Sequence, residues 1–272
     1  MVTLIFSDMH RKNPLSTIEE LTKTIPVEKV VFLGDVDSAD IFKEIIKFQP
    51  SKIEKLILIG NHDYPFIVES LQLGEIKKPD YFEKEFGDVD YINEVKKWRK
   101  DSVLKNFAMK YFSNLRGSDF QLKECAFMQV NESSRGKIIY CHSAIYDSKT
   151  EFLKKNQLHY QIWESFLLEE RRLNEKTLRK NLLMMKEKGY SLFFRGHDHY
   201  PQVWSVKREE NPINAEMHFE GNPSQGSCEI YLQPNRRYIV SVGAFIRDSY
   251  AIFDEKNFKV ILVDRSVKWR GK

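Results

Sequence analysis

The sequence has few cysteines and no long apolar run. Its three cysteines, Cys125, Cys141 and Cys228, lie far apart and lack the spacing of a metal site or a disulfide framework. We therefore expect reduced thiols and a cytoplasmic protein. No stretch approaches the roughly 18 consecutive apolar residues that a membrane helix requires. The N-terminal "MVTLIF" has no basic region before it and no small-residue cleavage site after it. We expect neither a membrane partner nor a signal peptide.

The chain also lacks a strong excess of charge of either sign. There are 43 Lys and Arg residues against 39 Asp and Glu, a net charge of +4, and the basic residues are spread along the chain. This balance is weak evidence for a nucleic-acid partner. Apolar residues make up 42% of the chain and charged residues 30%, which is typical of a globular protein. At 272 residues the chain can bury a substantial core, and we expect a single domain over 1–272.

Short apolar runs recur in the first 60 residues, and each is followed by polar residues. The runs are "VTLIF" before "SDMH", "KVVFL" before "GDVD" and "KLILI" before "GNHD". Between them lie "STIEELTKT", in which Ser16 and Glu19 have capping-box spacing, and "ADIFKEIIKF", whose apolar residues have helical spacing. The pattern predicts β-α-β-α-β over residues 2 to 60, with a parallel sheet buried on both faces.

The rest of the chain alternates between helical insertions and strands. Helical insertions are predicted at about 66–116 and 150–188, separated by a strand at "KIIYC". From "SLFFR" onward, further strands are predicted at "QVWSV", "YIVSV", "YAIFD" and "FKVILV". The segment 208–230 is rich in Gly, Pro and Asn and is predicted to be a long loop or a hairpin.

Most of the histidines follow predicted strands. Five of the 7 do so, in company with acidic and amide residues; the set is His10, His62, His142, His197 and His199 with Asp8, Asp35, Asn61 and Asp63. The carboxyl ends of parallel strands share one edge of a sheet, where ligands collect. Nitrogen and oxygen donors without thiolate suit divalent Mn, Fe, Zn, Ni or Co. The candidate ligands are too many for one tetrahedral ion, so we expect two ions that share a carboxylate.

Five motifs together resemble those of the calcineurin-like metallophosphoesterase superfamily. They are "DMH" (8–10), "GDVD" (34–37), "GNHD" (60–63), "CH" (141–142) and "GHDH" (196–199), in that family's order and at roughly its spacing. Each motif alone is weakly specific, whereas all five in order are highly specific. The resemblance implies an α/β fold, a β-sandwich of two mixed sheets flanked by helices in four layers, with helical insertions.

The resemblance also implies which residues hold two divalent ions. Asp8, His10 and His199 would hold the first ion, Asn61, His142 and His197 the second, and Asp35 would bridge them. Manganese is the metal we expect first, with Fe, Zn, Ni or Co as alternatives.

The implied mechanism is hydrolysis of a phosphate ester. A metal pair lowers the pKa of a bridging water, and the resulting hydroxide attacks phosphorus in line with the leaving group. His62 would stabilise the leaving oxygen and Asp63 would orient His62. Arg11, directly after the first motif, and Arg247, within "SVGAFIR", are candidate phosphate contacts together with Asn61.

Several functions remain open at this stage. We expect a dinuclear phosphoesterase whose partner is a phosphorylated small molecule or a nucleotide. A nuclease is the first alternative, because the insertions contain "KKWRK" (96–100) and "RRLNEKTLRK" (171–180), although glutamates dilute the charge of the insertions. A phosphoprotein phosphatase is less favoured, because no Asp-Arg pair follows the Gly-Asp motif. A catalytically inactive interaction module is the least favoured, because no ligand has been lost.

Overall fold

The computed structural model describes residues 1–71, 80–112, 128–143, 173–221, 223–224 and 226–265, without the side chains of 68, 80–89 and 111–112. Its strands in chain order are β1 (Val2–Phe6), β2 (Lys29–Phe32), β3 (Glu54–Ile57), β4 (Met128–Ser133), β5 (Gly136–Cys141), β6 (Tyr190–Arg195), β7 (Pro201–Lys207), β8 (Glu216–Glu220), β9 (Ser227–Tyr231), β10 (Arg236–Val242), β11 (Ser249–Asp254) and β12 (Lys259–Asp264). Its α-helices are α1 (Leu15–Thr22), α2 (Ala39–Lys47), α3 (Asp63–Ser70), α4 (Asp80–Lys100), α5 (Ser102–Phe112) and α6 (Glu175–Lys188).

The strands form two mixed sheets of six strands each. The order in the first sheet is β3-β2-β1-β11-β12-β9, and in the second β4-β5-β6-β10-β7-β8. Strands β1, β2 and β3 are parallel, as are β5, β6 and β10. The other neighbouring strands are antiparallel. The predicted sandwich of two mixed sheets with helices is confirmed, and so is the β-α-β-α-β order of the first 60 residues.

Successive residues of β1 are buried in different apolar cores. Ile5 belongs to the core between the two sheets, together with Phe194 of β6. Its neighbour Phe6 belongs to the core that includes the helix residue Phe42 of α2. A strand that is buried on both faces needs apolar residues at every position, which explains the continuous apolar runs of the sequence.

The predicted capping box at the start of α1 is wrong. The helix begins at Leu15, so Ser16 lies inside its first turn and cannot cap it, whatever its spacing to Glu19. The residue before the helix, Pro14, provides no side-chain cap. Instead, Asn13 accepts a hydrogen bond from the backbone N–H of Leu15 through Oδ1, at 3.0 Å.

The predicted helical insertions lie partly outside the described residues. In the first, predicted at about 66–116, the described helices after α3 are α4 and α5. They separate at Asp101, whose Oδ1 accepts hydrogen bonds from the N–H groups of Val103 (2.9 Å) and Leu104 (3.3 Å). Helix α6 is the described part of the second insertion. No helix in the described ranges is long and apolar enough to cross a bilayer. The extent of the insertions, the single domain and the cytoplasmic location stay predictions.

The segment 208–230, predicted to be a loop or a hairpin, contains two strands that do not pair with each other. Strand β8 pairs with β7 at the edge of the second sheet, and β9 pairs with β12 at the edge of the first. Most side chains of both strands are partly or fully exposed. Edge strands of this kind lack the apolar runs by which the buried strands were recognised, so the prediction failed here.

Candidate metal centre

The loops that follow β1 and β2 are joined through their backbones. The N–H of Asp8 donates to the carbonyl of Gly34 at 3.1 Å, and the N–H of His10 donates to the carbonyl of Asp35 at 2.9 Å. Asp8, His10 and Asp35 have positive φ angles of 50°, 41° and 58°. This left-handed conformation is unfavourable for residues other than glycine and tends to occur at functional sites. The two loops are therefore held in a defined and strained arrangement at the end of the parallel strands.

Two glycines allow the loops after β2 and β3 to approach each other. A Cβ atom at Gly34 would collide with the backbone of Gly60, and a Cβ atom at Gly60 would collide with the side chain and the backbone nitrogen of Asp35. Gly34 also has a φ of +105°. The glycines of "GDVD" and "GNHD" thus let the carboxylate of Asp35 lie against the loop that carries Asn61.

The first cluster of candidate ligands contains Asp8, His10 and His199. Nε2 of His199 lies 3.2 Å from Oδ1 of Asp8 and 3.0 Å from Nε2 of His10. The other oxygen of Asp8, Oδ2, accepts hydrogen bonds from the hydroxyl of Ser7 (2.6 Å) and the backbone N–H of His197 (2.9 Å). These bonds fix the fully buried carboxylate of Asp8 so that Oδ1 faces the histidine.

The second cluster contains Asp35, His142 and His197, all buried. Nδ1 of His142 donates to the carbonyl of Leu33 at 2.9 Å. Its Nε2 lies 3.2 Å from Oδ2 of Asp35 and 3.0 Å from Oδ1 of Asn61. A hydrogen bond at one ring nitrogen of a metal-binding histidine orients the ring and directs the other nitrogen towards the metal. The structure thus brings the predicted second ligand set together.

The atoms of both clusters fit divalent cations. Imidazole nitrogens with carboxylate and amide oxygens, without thiolate, suit Mn, Fe, Zn, Ni or Co. In the first cluster, two imidazole nitrogens of His10 and His199 face each other across 3.0 Å beside Oδ1 of Asp8. Nε2 of His199 approaches that buried oxygen to 3.2 Å without the geometry of a hydrogen bond. A cation would satisfy all three lone pairs at once, whereas a single proton satisfies fewer of them.

Mutual charges control the ionisation of the clusters. Burial by itself raises the pKa of Asp35, but the positive charges of His142, His62 and His10 together outweigh it and hold this pKa well below its usual range. Burial lowers the pKa of His10, yet the hydrogen bond and the charge of Asp37 raise it to about 9. Burial, followed by the charge of His142, lowers the pKa of His197 to about 3. At neutral pH, His197 therefore offers a lone pair, and a cation would compete with a proton on His10.

Asp37 is a residue of the site that the sequence analysis did not identify. Its Oδ2 lies 2.6 Å from Nδ1 of His10, and its Oδ1 lies 3.3 Å from Nδ1 of His62. These three residues form a third cluster of potential ligands. Because Asp37 is hydrogen-bonded to Nδ1 of His10 and lies within ion-pair distance of Nδ1 of His62, we interpret it as a residue that orients both histidines. The second acidic residue of "GDVD" was the available signal.

The expectation that Asp63 orients His62 is corrected by the geometry. The carboxylate of Asp63 accepts hydrogen bonds from the backbone N–H groups of residues 35–37 and of Gly60, at 2.8 to 3.3 Å. Burial and neighbouring negative charges raise the pKa of Asp63 to about 7. Asp63 thus holds the loop after β2 in place, while the ring of His62 contacts Asp37.

Asp198, which separates the two histidines of "GHDH", belongs to neither ligand cluster. Its Oδ1 lies 3.2 Å from Nη2 of Arg195, and both side chains are buried. Burial raises the pKa of Asp198 to about 6, although the charge of Arg195 opposes this shift. The pair supports the turn in which His197 and His199 adopt positive φ angles of 68° and 58°.

The predicted substrate contacts Arg11 and Arg247 are exposed residues at the rim. Arg11 directly follows His10, and its Nη1 lies 3.4 Å from Oδ2 of Asp90. Arg247 ends the short 3₁₀ turn Phe245–Arg247, in which the N–H of Ile246 donates to the carbonyl of Asp8 at 3.2 Å. The guanidinium of Arg247 lies over the ring of Tyr200, 5.3 Å from its centroid. The roles of both arginines stay predictions.

Known proteins resemble this chain in sequence and in structure. The sequence profile of the calcineurin-like phosphoesterase family matches residues 1–201. The uncharacterized protein MJ0912 of Methanocaldococcus jannaschii is 26% identical over 273 residues, which covers 95% of this chain and 85% of that protein. The crystal structure of a metallophosphoesterase from Sphaerobacter thermophilus superimposes with a TM-score of 0.56 at 19% identity, covering 99% of this chain and 90% of that one. The crystal structure of the hypothetical protein PH1004 of Pyrococcus horikoshii superimposes with a TM-score of 0.52 at 14% identity, covering 97% of this chain and 87% of that one.

These comparisons carry different weight. The structural matches, at low identity, show that the fold is shared. The family profile spans all five motifs, from "DMH" to "GHDH", and thus both ligand clusters.

Proposed function

The chain belongs to the calcineurin-like phosphoesterase family, and on that premise we propose that it binds two divalent metal ions and hydrolyses a phosphomonoester, a phosphodiester or a nucleotide. The observation that carries this proposal is the pair of adjoining His and Asp clusters at the ends of strands from both sheets. The backbone N–H of His197, from one cluster, donates to Asp8 of the other. Such closeness suits two ions that act on one phosphate group.

Each cluster would hold one ion, and Asp35 would be shared between them. The residues of the first ion are Asp8, His10 and His199; those of the second are Asn61, His142 and His197, with Asp35. Two bound cations supply a lowered pKa for water and positive charge for the phosphoryl oxygens. Manganese is the cation with which we would load the protein first.

The remaining polar residues of the site bind the substrate and donate a proton to its leaving oxygen. His62 is held through Nδ1 by Asp37, and its other ring nitrogen donates a proton to the leaving oxygen. Asn61 and the exposed guanidinium groups of Arg11 and Arg247 bind the phosphate oxygens, since arginine donates paired hydrogen bonds to phosphate.

Hydrolysis of two nitrophenyl esters tests this proposal. The protein loaded with Mn²⁺ is compared on p-nitrophenyl phosphate and bis(p-nitrophenyl) phosphate, alongside Asp35→Asn. We expect hydrolysis of at least one ester, reduced to the level of the uncatalysed reaction in Asp35→Asn, which also binds less manganese. Asp254→Asn is the matched control, because Asp254 accepts hydrogen bonds from Asn257 in a turn after β11 and takes no part in either cluster.

The outcomes discriminate between the candidate functions. Preference for the diester would favour a phosphodiesterase or a nuclease, and preference for the monoester a phosphatase acting on small molecules, nucleotides or phosphoproteins. Full activity in Asp35→Asn, or hydrolysis of neither ester by the metal-loaded protein, would contradict the proposal.

A further inference from the structure

A groove lies between Arg11 and helix α4. Its volume is about 410 Å³, and it is lined by Arg11 and by one face of α4 from Asp90 to Lys100. This volume is in the range of sites that bind small molecules. Apart from Arg11, none of the residues that we assign to the metal centre lines the groove.

Glu94 fixes this groove next to the metal centre. Its Oε2 accepts a hydrogen bond from the backbone N–H of Ala39 at 2.6 Å. Ala39 begins α2, directly after the loop that carries Asp35 and Asp37. On the opposite wall of the groove, Arg11 follows a predicted metal ligand in the chain. The groove therefore adjoins both loops that bear the clusters.

The groove opens beside the accessible side of the centre. The side chains of His10 and His199 are 15% and 26% exposed, whereas the side chain of His142 is fully buried. A substrate would therefore approach the two clusters from the side of His10 and His199. Arg11, the residue next to His10 in the chain, is 44% exposed and lines the groove as well. A molecule bound at the metals can extend past Arg11 into the groove.

The carboxylates of the groove are already engaged. Lys97 lies 3.1 Å from Oε1 of Glu94 and 2.7 Å from Oδ2 of Asp40. Asp90 lies 3.4 Å from Arg11. Arg11 and Lys97 offset Asp90 and Glu94, and the other two lysines of the groove leave a net charge of +2, which Asp40 beside Lys97 reduces to +1.

Those two lysines, Lys96 and Lys100, share one face of α4. They are exposed, and neither has an acidic partner among the side chains that the structure describes. Residues four apart on a helix are neighbours, so two like charges at this spacing repel each other and destabilise the helix slightly. Cations do stabilise the end of a helix through its dipole, but that effect favours no particular face. An anion seated between Lys96 and Lys100 would relieve their repulsion.

We propose that this groove binds a second phosphate group of the substrate, distinct from the one that is hydrolysed. The preferred substrate is then a small molecule with two phosphate groups. The inference rests on the proposed function in one respect, because that function puts the scissile phosphate at the metal centre. Lys96 and Lys100 bind the second phosphate, and Arg11 lies between the two positions.

Matched pairs of ligands test this inference. The pairs are adenosine 3′,5′-bisphosphate with adenosine 5′-monophosphate, and fructose 1,6-bisphosphate with fructose 6-phosphate. Each compound competes with p-nitrophenyl phosphate for the Mn²⁺-loaded protein. The ratio of the two inhibition constants within a pair measures how much the second phosphate group contributes to affinity. We expect the bisphosphate of at least one pair to bind about tenfold more tightly, as two exposed charge pairs would give.

Two double variants test whether the preference for the bisphosphate depends on the lysines of the groove. In the double variant Lys96→Ala and Lys100→Ala, we expect the ratio of inhibition constants within a ligand pair to fall towards one. The control is Lys105→Ala with Lys186→Ala, which removes the same charge from exposed positions on α5 and α6 outside the groove. The control should keep the ratio of the unmodified protein.

Three results would overturn the inference. The first is equal inhibition constants within both ligand pairs, and the second is an unchanged ratio of these constants in the double variant of Lys96 and Lys100. The third is binding of a single-stranded oligonucleotide that is tighter than that of the bisphosphates and steeply salt-dependent, which would assign the groove to nucleic acid. If the protein hydrolyses neither nitrophenyl ester, the proposed function fails. The same ratios are then measured by calorimetric titration of the metal-loaded protein, and the same criteria apply.

Discussion

The carboxylate of Asp37 lies 2.6 Å from Nδ1 of His10. This contact orients the imidazole so that its Nε2 faces Nε2 of His199, 3.0 Å away. The same carboxylate lies 3.3 Å from Nδ1 of His62. One buried acidic residue therefore orients both a predicted metal ligand and the predicted proton donor.

The first prediction concerns Asp37→Asn. Asparagine keeps the size of the side chain but removes the charge that holds both histidines. Groups that orient metal ligands typically contribute 10- to 100-fold to metal affinity or activity. We expect kcat/KM for a nitrophenyl ester and the affinity for Mn²⁺ to fall by about that range. Steady-state kinetics and a manganese titration measure the two effects, with Asp254→Asn as control. If kcat/KM and the affinity for Mn²⁺ were both unchanged, Asp37 would have no role in orienting the ligands of the site.

The second prediction concerns Gly60→Ala. The added Cβ would meet the side chain and backbone nitrogen of Asp35, so the loops after β2 and β3 must separate. Overpacking of this kind lowers the free energy of unfolding by about 1–3 kcal/mol. We also expect manganese affinity to fall, because Asp35 is displaced. Urea denaturation and a metal titration measure the two effects.

Gly189→Ala is the matched control for that variant. Gly189 ends α6 with a φ of +73°, and a Cβ there meets nothing within 4 Å. Alanine in a left-handed conformation costs about 1–2 kcal/mol. The control should therefore lose stability but keep its manganese affinity. Equal losses of metal affinity in both variants would show that the effect at Gly60 is global.

Much of the fold and of the candidate site could be predicted because both depend on local patterns. Strands buried on both faces require continuous apolar runs, so β1, β2, β5 and β6 are evident in the sequence. The residues that follow such strands collect at one edge of a sheet. Asp8 and His142, which are 134 positions apart in the chain, can therefore be assigned to one site from the sequence alone.

Most features that escaped prediction depend on loop and turn geometry, which the apolar runs of the sequence do not specify. Asp37 faces His10 only because the loop after β2 includes left-handed residues, among them Asp37 itself with a φ of 58°. Asp63 binds the backbone of that loop because α3 begins there. The break between α4 and α5 depends on a cap by Asp101, which looks like one more charged residue in a helical stretch.

The third prediction concerns the buried pair Arg195 and Asp198. Removing one partner leaves an uncompensated buried charge, which typically costs about 3–5 kcal/mol. We expect Arg195→Met and Asp198→Asn each to lower the free energy of unfolding by about that amount. The double variant should lose less than the sum, with an interaction energy of about 0.5–3 kcal/mol. Urea denaturation of the three variants completes the cycle, and strictly additive losses would mean that the pair contributes nothing as a pair.

The last prediction concerns removal of metal. The candidate ligands follow β1, β2 and β3 in the first sheet and β5 and β6 in the second, so bound ions would link the two sheets. A ligand that binds only the folded state raises its stability by about 2.7 kcal/mol at 100 times its Kd. We expect a chelator to lower Tm and added Mn²⁺ to restore it, increasingly with concentration. Ca²⁺, which prefers oxygen ligands, should restore less. The rise in Tm on addition of Mn²⁺ should be retained in Asp254→Asn and reduced in Asp35→Asn. An equal response in these two variants would mean that manganese acts elsewhere on the protein.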